Sequence, residues 1–177
     1  NPAGLFLEER SNDASGSVVC ACLEGNRPIL VEVQALVAKT PYGMPRRTAV
    51  GFDYNRVTML LAILERRLGM DFGAYDAYVN VVGGMRVTEP AADLAVAAAL
   101  VSSYRNRPIP HGVLVMGEVG LTGEVRRIGS PERRIKDAMN LGFKRFVLPM
   151  GKLSLDEPCN GVVQVKTLEE ALDKVFA

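Results

Sequence analysis

Apolar residues recur along this chain with two periods, and each period predicts a kind of element. Ser17 to Leu23 and Ile29 to Leu36 are β-type runs joined by the turn EGNRP, which predicts a hairpin. In the second run, ILVEVQAL, Glu32 and Gln34 alternate with apolar residues, so one face of that strand is expected to be polar. Ala38 to Arg47, AKTPYGMPRR, reads as a loop rich in proline and glycine. After the short run TAVGF, Asp53 is a good cap for a helix with Val57, Leu60, Leu61, Leu64 and Leu68 on one face. Arg56, Glu65, Arg66 and Arg67 fall mostly off that face, and Gly69 closes the helix. A strand, AYVNVV, and the pair Gly83-Gly84 follow.

The stretch Glu89 to Ser103, EPAADLAVAAALVSS, breaks the amphipathic pattern. Pro90 suits a first helical turn, and Thr88 or Glu89 can serve as its cap. From Ala91 to Val101 the only polar side chain is Asp93, in the first turn, where the helix dipole favours negative charge. A helix apolar all round belongs in the core. Its N-terminus follows the glycine pair, where a backbone can come close to a ligand.

The second half alternates strands and helices. A loop with Arg105, Arg107 and Pro108 leads into the buried strand GVLVM, and GEVGLTGEV reads as a tight strand connection. Pro131 starts a helix, PERRIKDAMNLG, capped by Ser130, with Ile135, Ala138, Met139 and Leu141 inward and Arg133, Arg134 and Lys136 mostly outward. KRFVLP and GVVQVK are strands, and TLEEALDKVF is a closing helix with Thr167 and Glu170 as a capping box. Residues 1–16 read as a linker from something upstream and 17–177 as one α+β domain, with partly parallel pairing.

Composition narrows the function classes. The chain has 177 residues, 48% hydrophobic and 23% charged, with formal net charge +1, so any basic surface must be local. No run of 18 apolar residues offers a membrane span, and no signal-peptide pattern is present. Cys20 and Cys22 share a strand face without the second pair a zinc site needs. With Cys159 they read as free thiols in a reducing cytoplasm. The lone His111, between Pro110 and Gly112, leaves no partner for a histidine metal site. Neither a GxxxxGK[ST] phosphate loop nor paired CxxC motifs occur.

At the apolar helix the sequence resembles the proteolytic domain of Lon-type proteases, a ribosomal S5 domain 2-like fold with mixed sheets packed against helices. That family carries its nucleophile in DGPSAG at the start of a buried helix. The matching stretch here is TEPAADLAVAAALVS, with Pro90 retained and Ala91 in the serine's place. The family's block GEI-x-LRG-x-V-x-x-IGGLKEK corresponds to GEVGLTGEVRRIGSPERR, which puts Glu132 where the lysine stands. The chain is more similar still to the C-terminal Lon-like domain of bacterial RadA/Sms DNA-repair ATPases, through the Asn1-Pro2 opening, PRRTAVGFDYNR, Gly83-Gly84 and EPAADLA. The resemblance implies an upstream zinc ribbon and an ATPase that use Zn, ATP and Mg. It also implies a hexameric ring, a branch-migration role in recombination, DNA and possible RecA-type recombinase partners, and a cytoplasmic location without membrane contact.

A Ser-Lys dyad needs a hydroxyl beside a lysine kept neutral by burial. Ala91 supplies no oxygen, and Glu132 carries the opposite charge, so a pseudoprotease without cofactors of its own is expected. Ser102 and Ser103 lie about 16 Å further along the helix at 1.5 Å per residue. The alternative readings are an active peptidase and an interaction scaffold without DNA contact. Arg126, Arg127, Arg133, Arg134 and Lys136 form a local basic cluster, which suits DNA phosphates or a solvated face paired with Glu124, Glu132 and Asp137. Arg46, Arg47 and Arg56 suit phosphate, a neighbouring subunit's carboxylate, or Asp53 in the same domain.

Overall fold

The hairpin is the centre of the sheet. In the computed structural model, which describes Arg10 and residues 13–177, β1 (Ser17–Glu24) pairs antiparallel with β2 (Arg27–Lys39) across the turn at residues 25–26. The linker expected over residues 1–16 lies largely outside the described residues. β3 (Arg47–Val50) and β4 (Tyr75–Val81) extend the sheet on one side. β5 (Val113–Val115), β8 (Arg145–Pro149) and β9 (Val162–Val165) extend it on the other. The order is β3-β4-β2-β1-β5-β8-β9, with β1/β2 and β2/β4 antiparallel and the other four contacts parallel. A separate ribbon pairs β6 (Glu118–Val119) with β7 (Val125–Arg126).

Helices follow from the predicted patterns. α1 (Tyr54–Leu68) begins where Asp53 accepts the Asn55 N–H at 2.8 Å, and ends where Gly69, at φ 69°, donates to the Glu65 carbonyl. α2 (Asp93–Arg105) is the apolar helix, and it packs on β1 and β2 between α1 and α4 (Leu168–Phe176). Burial on all its sides explains why its sequence has no polar stripe. α3 (Pro131–Asn140) packs near the β1–β2 hairpin. The architecture is thus a mixed α/β domain whose sheet is mostly parallel around a central antiparallel hairpin.

Six expectations change. Proline 90 starts a 3-10 turn, Pro90–Ala92, before α2, and neither Thr88 nor Glu89 caps it through a side chain. Glu32 is 4% exposed: its carboxylate accepts from Ser17 Oγ at 2.7 Å and Gln34 Nε2 at 3.0 Å, with Arg10 at 4.0 Å. Further along the same face Leu36 is exposed, and the strand continues to Lys39 into the expected loop. Ser130 holds a left-handed conformation at φ 52° and its hydroxyl does not cap α3. Leu141 lies just past the end of α3 and is exposed. The capping box of α4 closes by half: Thr167 Oγ1 accepts from the Glu170 N–H, whereas Glu170 turns to the Lys166 N–H at 3.0 Å.

Two serines that the sequence placed in the helix body fasten α2 to the strands. Ser102 Oγ accepts from the Gly16 N–H at 2.8 Å and donates to the Arg107 carbonyl at 2.6 Å, while Ser103 Oγ accepts from the Val37 N–H at 2.8 Å. Ser102 is fully buried, so Ser102→Ala leaves two backbone groups without their partner. The expected loss is about 1–3 kcal/mol in urea unfolding, with an unchanged m-value. A loss under about 0.5 kcal/mol counts against this fastening role.

Candidate functional site

The short turn from Glu89 to Asp93 is held on three sides. The Gly117 N–H donates to the Ala91 carbonyl at 2.8 Å, and the Leu94 N–H donates back to the Gly117 carbonyl at 3.0 Å. A Cβ at Gly117 would stand 2.8 Å from Val125 Cγ1, so only glycine lets this connection lie so close. Ala91 itself is buried, and its carbonyl faces Cys20 Sγ at 3.9 Å.

Each carboxylate flanking the turn is locked by an arginine from another helix. Arg56 of α1 makes a two-pronged contact with Asp93 through Nε and NH2, and the Val119 N–H donates to the same carboxylate at 3.1 Å. Burial pushes the Asp93 carboxyl above its usual pKa, against the pull of Arg56 and Val119. The hydrogen bond to Asp93 in turn raises the Arg56 guanidinium, despite some loss to burial. On the other flank, Arg134 NH1 and NH2 donate to Glu89 Oε1 at 2.5 Å and Oε2 at 3.0 Å. Arg134 also donates to the Ala21 and Gly129 carbonyls, both at 2.9 Å, and Glu89 accepts the Leu23 N–H at 2.7 Å.

Glu132 does not join this arrangement. Two positions before Arg134, it leaves the helix about 200° away at 3.6 residues per turn. Its Oε2 accepts the Ser154 N–H at 3.2 Å instead. Cys20 and Cys22 do share a face, with their sulfurs 3.9 Å apart, and both are buried. The Cys22 contact and burial push the Cys20 thiol well above its usual pKa. Among the described residues no group of three or more His, Cys, Asp and Glu could hold a metal ion.

The five basic residues expected to act together divide. Arg134 is 1% exposed and structural, which corrects its outward placement: the helix turns it into the core, where Glu89 and two carbonyls satisfy its guanidinium. Arg126 is exposed and meets Glu124 at 3.1 Å. Bonds from Thr122 Oγ1 and its own backbone N–H hold Glu124 down at about 2, so it stays anionic through neutral pH. Arg127, Arg133 and Lys136 are exposed, although Arg133 NH1 also donates to the Asn26 carbonyl at 2.7 Å.

The second arginine group divides as well. Arg47 donates to the Tyr75 and Phe72 carbonyls, clasping β3 to the start of β4 and the segment before it. Arg46 is exposed; its backbone N–H donates to Asp76 Oδ1 at 2.7 Å and its carbonyl accepts from the Ala77 N–H at 2.9 Å, while its guanidinium makes no hydrogen bond among the described residues. None of the three pairs with Asp53, whose carboxylate is spent on capping α1; Arg56 belongs to Asp93. The sequence reading missed Arg134 and Glu89 as a pair and Asp93 as a partner for Arg56. One signal existed: a lone carboxylate in an otherwise apolar helix requires a cation.

The chain thus folds as a mixed sheet with helices, and a glycine-tightened turn flanked by two arginine–carboxylate pairs opens α2. The chain matches the family model described as "Subunit ChlI of Mg-chelatase" over residues 33–152, about two thirds of its length, and belongs to that family. It is also similar to proteins named DNA repair protein RadA. Identity is 48% with that of Halalkalibacterium halodurans, covering 98% of this chain and 38% of the relative. With the Pseudomonas aeruginosa protein it is 49%, covering 99% and 39%. With the Bacillus subtilis protein it is 48%, covering 97% and 38%. The chain thus spans about two fifths of the length of these curated relatives. No helix of the described residues is long and apolar enough to cross a membrane.

Proposed function

We propose that this chain is the non-catalytic, Lon-protease-like part of a RadA-type DNA-repair ATPase, and that it supports assembly of a hexameric ring and contacts DNA. The observation that carries the reading is the state of the turn at Ala91. The position has no hydroxyl, and Glu132 is directed to Ser154. The neighbouring carboxylates, Glu89 and Asp93, are bonded to Arg134 and Arg56. No group at the turn is left to activate a nucleophile. The names of the 45–49% identical relatives support the repair role. In this reading ATP, Mg and Zn belong to the remainder of a longer cytoplasmic protein. Arg46 is the exposed arginine left for a neighbouring subunit, and a RecA-type recombinase is a candidate partner.

DNA contact falls to Arg126, Arg127, Arg133 and Lys136, without Arg134. Each phosphate neutralised on duplex DNA contributes about −0.9 to the slope of log K against log salt. Arg126→Glu with Arg127→Glu in the full-length protein should weaken binding to branched DNA at least about tenfold. The salt slope should shrink by about two, with ring assembly intact by sedimentation. Unchanged affinity and slope would leave the chain an interaction scaffold without DNA contact at this face. Casein cleavage by the full-length protein that disappears with Ser102→Ala or Ser130→Ala would overturn the non-catalytic half.

A further inference from the structure

Two cavities flank the start of α3, and their charges differ in sign. The larger, about 680 Å³, lies between the β1–β2 hairpin, α3 and the segment 154–157. It sets Arg27, Arg133 and Lys136 against Glu132, Asp137, Asp156 and Glu157, three cations against four carboxylates, so its interior holds no surplus positive charge for a compact anion. The smaller, about 220 Å³, opens beyond the C-terminal ends of the parallel strands β8 and β9, the end of an open α/β sheet where ligands are commonly taken.

The smaller cavity is built differently. Arg127 and Lys152 stand exposed on its rim, and neither forms an ion pair among the described residues. The only carboxylate lining it is Glu132, whose Oε2 is taken by the Ser154 N–H. The Arg127 stem lies along Gly151, where a Cβ would come within 3.6 Å of Nε. Gln164 Nε2 donates to the Gly151 carbonyl at 2.7 Å and the Pro149 carbonyl at 3.3 Å, which fixes the loop carrying Lys152. Half-buried Ile128 and Leu153 and buried Leu148 form apolar walls.

A recess this small, with two unpaired cations and apolar walls, suits one compact anion presented end-on better than a strand passing through. A phosphomonoester carries about −1.5 to −2 at neutral pH, and two cations against the single carboxylate Glu132 leave the lining a positive balance to attract it. We propose that the cavity between Arg127 and Lys152 seats the terminal phosphate of a DNA strand. This rests on the DNA-contact reading above and narrows it to the ends of strands.

Fluorescence anisotropy on the full-length protein tests it, using oligonucleotides that carry a 5′-phosphate, a 3′-phosphate or only hydroxyl ends. At least one phosphorylated strand should bind about tenfold more tightly than the hydroxyl strand. Arg127→Gln with Lys152→Gln should erase that preference, while Arg133→Gln with Lys136→Gln keeps it. Inorganic phosphate, at matched ionic strength, should compete with the phosphorylated strand alone. DNA binding without any preference for a terminal phosphate overturns the pocket and leaves DNA contact standing. If no strand binds at all, DNA contact falls. Calorimetry with inorganic phosphate then decides the anion site: equal heats from the wild type and the Arg127→Gln/Lys152→Gln variant remove it, and a loss of heat in the variant retains it.

Discussion

Replacing Arg134 by methionine should lower the stability of the domain by about 3 kcal/mol or more, the scale for breaking one half of a buried ion pair. For a domain of this size that is a fall in Tm on the order of 10 °C. The guanidinium is 1% exposed and donates to four acceptors: two Glu89 oxygens and the carbonyls of Ala21 and Gly129. Methionine fills much of the volume but leaves those acceptors without a donor. Glu89 keeps its bond from the Leu23 N–H and is 23% exposed, so water relieves part of its charge and holds the loss toward the lower end of the range. Glu89→Gln should therefore cost less than Arg134→Met. In a double-mutant cycle by chemical unfolding, Glu89→Met with Arg134→Met should recover part of the summed loss. Additive single losses would mean that the two residues do not act as a pair.

The second large effect is at Asp93, and it carries a pH signature. Asp93 is fully buried and accepts two bonds from Arg56 and one from the Val119 N–H. Asp93→Ala leaves the Val119 donor unpaired in the interior and frees Arg56 to reach water, so the expected loss is about 2–4 kcal/mol. Asp93→Asn keeps an acceptor and should lose less. Because burial raises the folded-state pKa of Asp93, the folded protein holds this proton more tightly than the unfolded chain does. The group's contribution is fully present below the unfolded value, near 4 for an aspartate, and is lost as pH rises through the folded value. The stability difference between wild type and Asp93→Asn should shift against the wild type across that window and then level off. Glu124, held at about 2, and Asp76, lowered by bonds from the Arg46 N–H and Thr40, run the opposite way. Both are common to the two proteins and cancel in the difference. A flat difference from pH 3 to pH 8 would contradict the burial account of Asp93.

These effects converge on one segment. Arg56 ties α1 to the start of α2, and Arg134 ties α3 to the turn just before it, so both flanks of Ala91 are fixed from outside. Arg134 therefore has a structural use that its neighbours Arg133 and Lys136 lack. A test of DNA contact that reverses Arg133 and Arg134 together would mix a folding defect with a binding defect. Separating the exposed cations from the buried one is what makes the binding experiments readable.

Local patterns were legible wherever chemistry at neighbouring positions decides the structure. The Asp53 and Gly69 caps of α1, its apolar face through Leu64, the burial of α2 and the shared face of Cys20 and Cys22 follow from spacing of a few residues. The two misplaced charges share one physical cause. Glu32 looks solvent-facing by alternation, yet pairing with β1 brings Ser17 across from its strand and Arg10 over it. Arg134 looks solvent-facing by composition, yet its partner is Glu89, 45 positions earlier. A buried charge is stabilised by a partner distant in the chain, and periodicity carries no information about such a partner.

The sequence by itself determined the element order, the burial of α2 and the presence of a methyl group at position 91 and a carboxylate at position 132, because residue identity and short-range spacing suffice for each. Only the tertiary structure decided the strand order β3-β4-β2-β1-β5-β8-β9 and the turning of Glu132 away to Ser154. It also decided which of five neighbouring basic residues is buried and which cavity keeps unpaired cations. Those outcomes depend on pairings between segments tens of residues apart, whose free energy is set by desolvation and geometry after the chain has packed.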